Sequence, residues 1–175
     1  YVPYRIGFGE TLFVDGNVYR NGKPINIKAV RYNSATGPKE TLGQLTKLKK
    51  DGYNTVCPDY PQATWFYDEC ENVGLYVIDQ ANINPNHESS NLRLGGTYNN
   101  SPELLDAYLE RMKAMYGRNK NRTCIIGWSL GGNGGNGYNM YKRYQLLKYI
   151  DVNRAVVFRG AEGEWNSDFD ITFDK

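Results

Sequence analysis

The chain has 175 residues, 40% of them hydrophobic, and its 21 basic and 19 acidic side chains give a formal net charge of +2. That length suits one domain with its own core, and so balanced a charge excludes an electrostatic footprint for nucleic acid or a membrane surface. No run approaches the roughly 18 apolar residues of a membrane span, and residues 1–10 lack the features of a signal peptide. We expect a soluble chain, and a periplasmic or extracellular parent stays open.

Scarce cysteine and histidine exclude several kinds of site. Cys57, Cys70 and Cys124 are odd in number and form no C-x-x-C pair, so the sequence predicts neither a disulfide framework nor a zinc site. His87 is the only histidine and lies in the polar stretch "NPNHESSN", where we interpret it as a surface residue. We therefore expect no bound metal.

The chain opens with hairpin signals. Apolar and polar residues alternate over 11–30 around "DGN" and "RNGK", which are typical of tight turns between antiparallel strands. We predict a short β preface over residues 1–24, followed by the main fold from residue 25 onward.

Strand and helix patterns alternate in the main fold, which predicts βα units and a parallel sheet, either open and doubly wound or closed into a barrel. The predicted strands are "INIKAV", "YNTVC", "LYVIDQAN", "TCIIGWSLGG", "RAVVF" and "FDITF". One intervening helix carries Leu42, Leu45 and Leu48 on one face. Another is predicted to have Ser101 as its cap and Pro102 as its first residue, with Leu105, Tyr108, Met112 and Met115 on its buried face.

The predicted strands end in polar residues, as an active face would. In both layouts function sits beyond the carboxyl ends of the strands, here "RYNSA", "CPDYP", "DQANIN", "SLGGNGGNG" and "RGAEGEWNSD". Gly132, Gly134 and Gly137 also spell G-x-G-x-x-G between a strand and a helix. With Arg159 placed to meet a 2′-phosphate, this pattern keeps an NADP-binding domain open as a remote alternative.

Three of these stretches carry a resemblance to a known family. "LYVIDQANI", "IIGWSLGGNGGNGYNMY" and "GAEGEWNSD", in that order, resemble the catalytic (β/α)₈ TIM barrel of glycoside hydrolase family 2, most closely its β-galactosidase type. The resemblance explains the glycines without a cofactor and implies an upstream sandwich domain from which residues 1–24 emerge. Since such a barrel needs about 250 residues, we expect residues 25–175 to form an incomplete barrel of about six strands within a longer parent chain.

The family hydrolyses glycosides with two carboxylic side chains, one an acid/base and the other a nucleophile. Aligned on the family's W-S-L-G-N-E motif, this chain has Asn133 where the acid/base glutamate stands. Gln80 replaces a second carboxylate, and Asp59 replaces a histidine. The nucleophile belongs to a seventh strand, so the resemblance implies that these 175 residues alone are inactive.

The remaining candidates are one acid and a set of sugar contacts. Glu164, beside an aromatic ring, is a candidate substitute acid, ahead of Glu162. The predicted substrate-binding residues are Asp59, Asp79, Gln80, Asn82, Trp128, Asn136 and Trp165.

Two main functions stay open at this point. One is the sugar-cleaving domain of a β-galactosidase-like parent, and the other is a non-catalytic carbohydrate-binding module. We expect a carbohydrate ligand and further parent domains as partners, self-association through an open barrel edge, and neither cofactor, nucleic acid nor membrane.

Overall fold

The structure is a computed structural model that describes residues 7–33, 36–85 and 97–173. The prediction for His87 lies outside these ranges, as does Ser34 in the "RYNSA" strand end. No helix of the described part is long and apolar enough to cross a membrane.

The chain first forms a small antiparallel sheet. Its strands, in the order β1-β2-β3, are Thr11–Val14 (β1), Asn17–Arg20 (β2) and Lys23–Pro24 (β3). The turns at Asp15–Gly16 and Asn21–Gly22 have positive φ at both residues, the conformation that Asp-Gly and Asn-Gly pairs favour in tight hairpins. The hairpin pattern predicted from the sequence is confirmed.

A second sheet of five parallel strands forms the body of the molecule. In spatial order these are Ala29–Tyr32 (β4), Thr55–Pro58 (β5), Tyr76–Gln80 (β6), Ile125–Ser129 (β7) and Ala155–Val157 (β8). The helices between them are Pro38–Lys50 (α1), Thr64–Val73 (α2), Leu105–Asn119 (α3) and Tyr138–Ile150 (α4). Strand order follows chain order, as in an incomplete (β/α)₈ barrel.

Successive side chains on the parallel strands point to opposite faces, which produces two cores. Val56, Val77 and Val156 belong to the large core between sheet and helices, whereas Cys57, Ile78 and Val157 belong to a smaller core on the inner face. The pairing of β6 with β7 shifts register between Val77 and Ile78, so β7 carries one extra residue there. This shift places Trp128 beside Asp79 and Ser129 beside Gln80.

The stretch "FDITF" does not form a sixth sheet strand. Its only bridge among the described residues joins Phe173 to Ala29 of β4, at the opposite edge from β8. Phe169, Ile171 and Phe173 pack against the inner core instead. They cover apolar surface that would otherwise face water, and burying such surface is the main driving force of folding.

The outer edge of β8 is covered by side chains. Asp168 accepts a hydrogen bond from the Val156 amide at 2.7 Å and returns one from its own amide to the Val156 carbonyl at 2.8 Å. The Ser167 hydroxyl accepts from the Phe158 amide at 3.0 Å. Because these groups are already paired, the β8 edge does not offer the free backbone ladder on which edge-to-edge self-association depends.

Two details of the helices differ from expectation. In α1, Leu45 is fully buried, but Leu42 is 39% exposed and contributes little to the predicted face. Ser101 makes no side-chain cap, because its hydroxyl bonds the Thr97 carbonyl at 2.8 Å and residues 102–104 form a 3₁₀ turn before α3. The buried face of α3 is confirmed at Tyr108, Met112 and Met115.

Asp79 lies in the large core and not at the cavity. Its carboxylate accepts hydrogen bonds from the Tyr67 hydroxyl at 2.8 Å and the Asn119 amide at 2.7 Å. Burial raises the pKa of Asp79 from the ordinary 3.8 to about 6, against the opposing effect of these two hydrogen bonds. The side chain therefore links β6 to α2 and α3.

We expect Asp168→Ala to lower the free energy of unfolding by about 2–3 kcal/mol, since it removes charge-assisted bonds from Val156, Tyr144 and Lys148. Urea denaturation measures the loss. Asp170→Ala, which changes an exposed acid two residues away, is the control and should change little. Equal effects of the two changes would contradict the role given to Asp168.

Asp79 also predicts a pH dependence. With its pKa raised to about 6, the folded chain holds a proton between about pH 4 and 6 that the unfolded chain has released. Stability therefore falls as the pH rises through this window, by up to about 3 kcal/mol in total. Across this window the wild type should lose unfolding free energy relative to Asp79→Asn, which has no carboxyl group at this position. The difference between the wild type and Asp106→Asn, a change at an exposed acid, should stay constant. A flat difference for Asp79→Asn would refute this.

Candidate functional site

A cavity of about 210 Å³ opens at the carboxyl ends of the parallel strands. Its polar rim comes from strand ends and from the loops after them, while its floor is apolar. The polar lining residues are Arg31, Asp59, Gln80, Ser129, Asn133, Arg159 and Glu162, and the apolar ones are Ile78, Val157, Ile171 and Phe173. This end of a parallel sheet is where such folds place their ligand sites.

One side of the cavity is a connected polar group. Arg31 forms an ion pair with Asp59 at 2.6 Å. The Gln80 amide donates to the Asp59 carbonyl at 2.5 Å, and the Ser129 hydroxyl donates to the Gln80 side-chain oxygen at 3.3 Å. These contacts orient the Gln80 side chain, and they leave the Asp59 carboxylate paired with the Arg31 guanidinium.

The glycine-rich loop forms the opposite side. A side chain at Gly131 would place its Cβ 2.8 Å from the Ile83 carbonyl, so only glycine permits this approach. At Gly134 a Cβ would meet Asn99 at 2.8 Å, and Asn99 donates to the Gly135 carbonyl at 2.5 Å. Between these fixed points Asn133 is exposed at the cavity, and its side chain makes no hydrogen bond to any residue that the structure describes.

The charged groups on the third side are less constrained. Arg159 lies with its guanidinium 5.7 Å from the centre of the Phe173 ring. Glu162 has a left-handed backbone with φ of 49°, a conformation that non-glycine residues adopt rarely and mostly in turns or at functional sites. Neither residue forms an ion pair within the described ranges.

Cys57 also lines the cavity but is not equipped as a nucleophile. Burial raises the pKa of its thiol far above the ordinary value of 9.0, with smaller opposing effects from a backbone hydrogen bond and from Arg31. Since the thiolate is the reactive form, this cysteine stays inert at neutral pH.

The structure brings Asp59, Gln80 and Asn133 together at the cavity and places other predicted contacts elsewhere. Trp128 is fully buried on the helix side, where its indole donates to Asp151 at 2.9 Å. The two positions have different causes: Asp79 follows the ordinary alternation of β6 after the inner-face Ile78, whereas the extra residue in β7 turns Trp128 toward the helices.

Asn136 is buried behind the cavity in a closed pair. Its side-chain amide and that of Asn166 exchange two hydrogen bonds, each of 2.8 Å. The Asn136 oxygen also accepts from the Gly137 amide at 3.1 Å, so this buried side chain holds the loop in place behind the cavity.

Three more predicted residues also lie outside the cavity lining. Glu164 accepts a hydrogen bond from the Tyr141 hydroxyl at 2.6 Å. Trp165 is 54% exposed and stacks on Tyr141 with ring centres 5.2 Å apart. Asn82 is exposed, and its backbone carbonyl accepts from Arg111 at 3.1 Å.

Arg31, Ser129 and Arg159 line the cavity but were missing from the predicted site. Arg31 stands two residues after Ala29 and Arg159 two after Val157, and both of those earlier side chains belong to the inner core. Counting alternate positions along each strand finds both arginines. Ser129 is not found this way, because the extra residue in β7 breaks the count.

The geometry of the G-x-G-x-x-G loop gives no support to a dinucleotide site. Pyrophosphate binding needs free backbone amides at the start of the following helix. Here the Tyr138 amide is bonded to the Asn100 side chain at 3.0 Å and the Gly137 amide to the Asn136 side chain at 3.1 Å. Gly134 and Gly137 allow close packing against Asn99 and Asn100, and Gly132 lies against Gln80 and Asn84.

Comparisons with known proteins agree with this architecture. The family model "Glycosyl hydrolases family 2, TIM barrel domain" matches residues 14–174. The β-galactosidase of Pectobacterium atrosepticum is 34% identical over 165 residues, which make up 90% of this chain and 16% of that protein. A β-galactosidase of Klebsiella pneumoniae is 34% identical over 163 residues, or 89% of this chain and 15% of its own length.

Solved structures share the fold at lower identity. The β-glucuronidase of Ruminococcus gnavus superimposes with a TM-score of 0.71 at 17% identity, over 91% of this chain and 30% of that one. That of Parabacteroides merdae gives 0.66 at 17% identity, over 89% and 21%.

The chain thus spans about one sixth of the length of the β-galactosidases it matches. The parallel sheet, the cavity at its carboxyl end and the match over residues 14–174 together lead to one conclusion. The chain belongs to glycoside hydrolase family 2, in its TIM-barrel domain.

Proposed function

We propose that this domain holds the terminal sugar of a β-galactoside-type glycoside in the cavity described above, as the carbohydrate-active part of a longer glycosidase. We further propose that residues 1–175 alone bind the sugar without cleaving it. The observation that carries the proposal is the cavity wall formed by Asp59, Gln80 and Asn133 at the carboxyl ends of the strands.

The chemistry of this wall suits binding. The amides of Gln80 and Asn133 can each donate and accept hydrogen bonds, as sugar hydroxyls require, and the apolar floor can take the C–H face of a ring. An amide has no acidic proton to give to a glycosidic oxygen, so Asn133 cannot act as the acid/base group.

Cleavage in the parent would need carboxyl groups from elsewhere. Retaining hydrolysis uses two, about 5–5.5 Å apart. Asp59 is held by Arg31, and Glu164 bonds Tyr141 outside the cavity lining. Glu162, which does line the cavity, is therefore better placed than Glu164 as a substitute acid.

The non-catalytic carbohydrate-binding module remains the second candidate for the parent. The same observation supports it, since Asn133 offers hydrogen bonds to a sugar but no proton-transfer group. Activity of the full-length parent separates the two proposals: turnover of an aryl β-galactoside favours the hydrolase, and binding without turnover favours the module.

Galactose titration followed by amide NMR should show saturable binding to the 175-residue chain. Gln80→Ala should weaken it about tenfold, because one good hydrogen bond from a fixed amide is worth roughly 1.4 kcal/mol. Asn82→Ala removes an exposed amide outside the cavity and should leave the dissociation constant unchanged. Equal losses in both variants, or no binding at all, would refute the assigned cavity, and saturable binding of NADP would favour the dinucleotide alternative.

We expect no release of nitrophenol from 4-nitrophenyl β-galactoside by the purified 175-residue chain. Asn133→Glu should not create activity, because it adds one carboxyl group where the reaction needs two. The assay compares each protein with a mock preparation. Turnover by Asn133→Glu above that background would show that the cavity already holds a working second carboxylate, and turnover by the unmodified chain would show that it holds both.

A further inference from the structure

Behind the glycine-rich loop, Arg143 of α4 is a fully buried cation. It is 0% exposed, and its guanidinium carbon lies 5.9 Å from the centre of the Tyr108 ring on α3. Its Nη1 group contacts the Met140 sulfur at 3.9 Å, a weak acceptor. Nε and Nη2 find no hydrogen-bond partner among the described residues.

A cation in this environment is costly unless an opposite charge meets it. No ion pair joins Arg143 to a carboxylate of residues 7–33, 36–85 or 97–173, and the neighbouring charged side chain, Arg111, is another cation. Burial lowers the pKa of Arg143 to about 9, which still leaves it charged at neutral pH. The Arg143 guanidinium therefore lacks a negatively charged partner within the described residues.

The two unpaired nitrogens of Arg143 have a defined geometry. Nε and Nη2 lie along the same edge of the planar guanidinium and form the fork that binds two carboxylate oxygens side by side. One helical turn earlier, Asn139 is fully buried with its amide nitrogen bonded to the carbonyls of Tyr98 and Ser101, at 2.9 and 2.8 Å. These two bonds fix the Asn139 side-chain oxygen. Within the described residues this oxygen and the Thr97 hydroxyl have no hydrogen-bond partner.

We propose that Arg143, Asn139 and Thr97 form a binding site for a small planar oxyanion of the carboxylate type. Two anion oxygens accept from Nε and Nη2 of Arg143, and the Thr97 hydroxyl donates to one of them. The Asn139 oxygen accepts from a proton-bearing oxygen, as in hydrogencarbonate, or from a water held beside the anion. None of the three residues lines the sugar cavity, so the site is separate and does not rest on the proposed function.

The site is nevertheless connected to the glycine-rich loop. The Tyr108 hydroxyl, on the ring beneath Arg143, donates to the Asn99 side chain at 2.8 Å. Asn99 in turn donates to the Gly135 carbonyl at 2.5 Å. An anion that fixes the guanidinium over Tyr108 therefore also stabilises the hydrogen bonds that join Tyr108 to Asn99 and Asn99 to the loop.

Sodium formate is the probe for this site. Raising it to about ten times its dissociation constant should increase the Tm of the wild-type chain by about 3–5 °C, since a ligand bound only to the folded state stabilises it by mass action. Arg143→Met replaces the cation with an apolar side chain of similar length, a change that buried ion sites often tolerate. This variant should lose the formate-dependent rise, and its Tm without formate should equal or exceed that of the wild type.

Lys142→Met is the matched control, because it removes an exposed cation next in sequence, over the Tyr138 ring, and should keep the full formate response. Saturation-transfer NMR on the formate proton tests the wild type directly and needs no variant. Equal Tm rises in wild type and Arg143→Met, or no transfer to formate, would overturn the proposal. A large Tm loss in Arg143→Met without any formate effect would also overturn it, by showing that the chain supplies its own partner for Arg143.

Discussion

The alternation of side chains along the parallel strands is the constraint on which the rest of this structure depends. Each strand sends one residue toward the helices and the next toward the inner face. Val77 and Ile78, neighbours in β6, thus belong to different cores. The same alternation carries Gln80 to the cavity and Asp79 into the helix layer, so a one-residue difference separates a ligand contact from a structural carboxylate.

Ends and edges are the weak points of an open parallel sheet, and here they are covered by local means. Asp168 and Ser167 satisfy the backbone of β8, and Phe173 bridges to β4 on the other side. Apolar side chains of residues 169–173 then cover the inner core. As a result the segment after β8 forms both an edge cover and the floor of the candidate site.

The glycine-rich loop is shaped by a second layer of side-chain hydrogen bonds. Asn99, Asn100 and Asn139 tie residues 97–101 to the loop and to the start of α4. Several such side-chain hydrogen bonds acting together favour a single loop geometry. These contacts do not involve the Asn133 side chain, which forms no hydrogen bond with the residues that the structure describes. The form of the loop therefore depends on residues other than Asn133.

Much of this protein could be predicted from its sequence alone. The Asp-Gly and Asn-Gly turns, the alternating strands and helices, and the polar strand ends follow from local chemistry, and the order of motifs pointed to the family. The sequence also placed Asp59, Gln80 and Asn133 at one face, because strand ends in a parallel sheet share an edge.

Only the tertiary structure decided which polar residues face the cavity and which support it. The register shift between β6 and β7 turned Trp128 away from the cavity, and no local pattern announces such a shift. The pairing of Asn136 with Asn166 and the burial of Arg143 likewise join residues that are distant in sequence or lie on another element. Local sequence determines where a strand ends, but the packing of its neighbours determines which side of the sheet each side chain occupies.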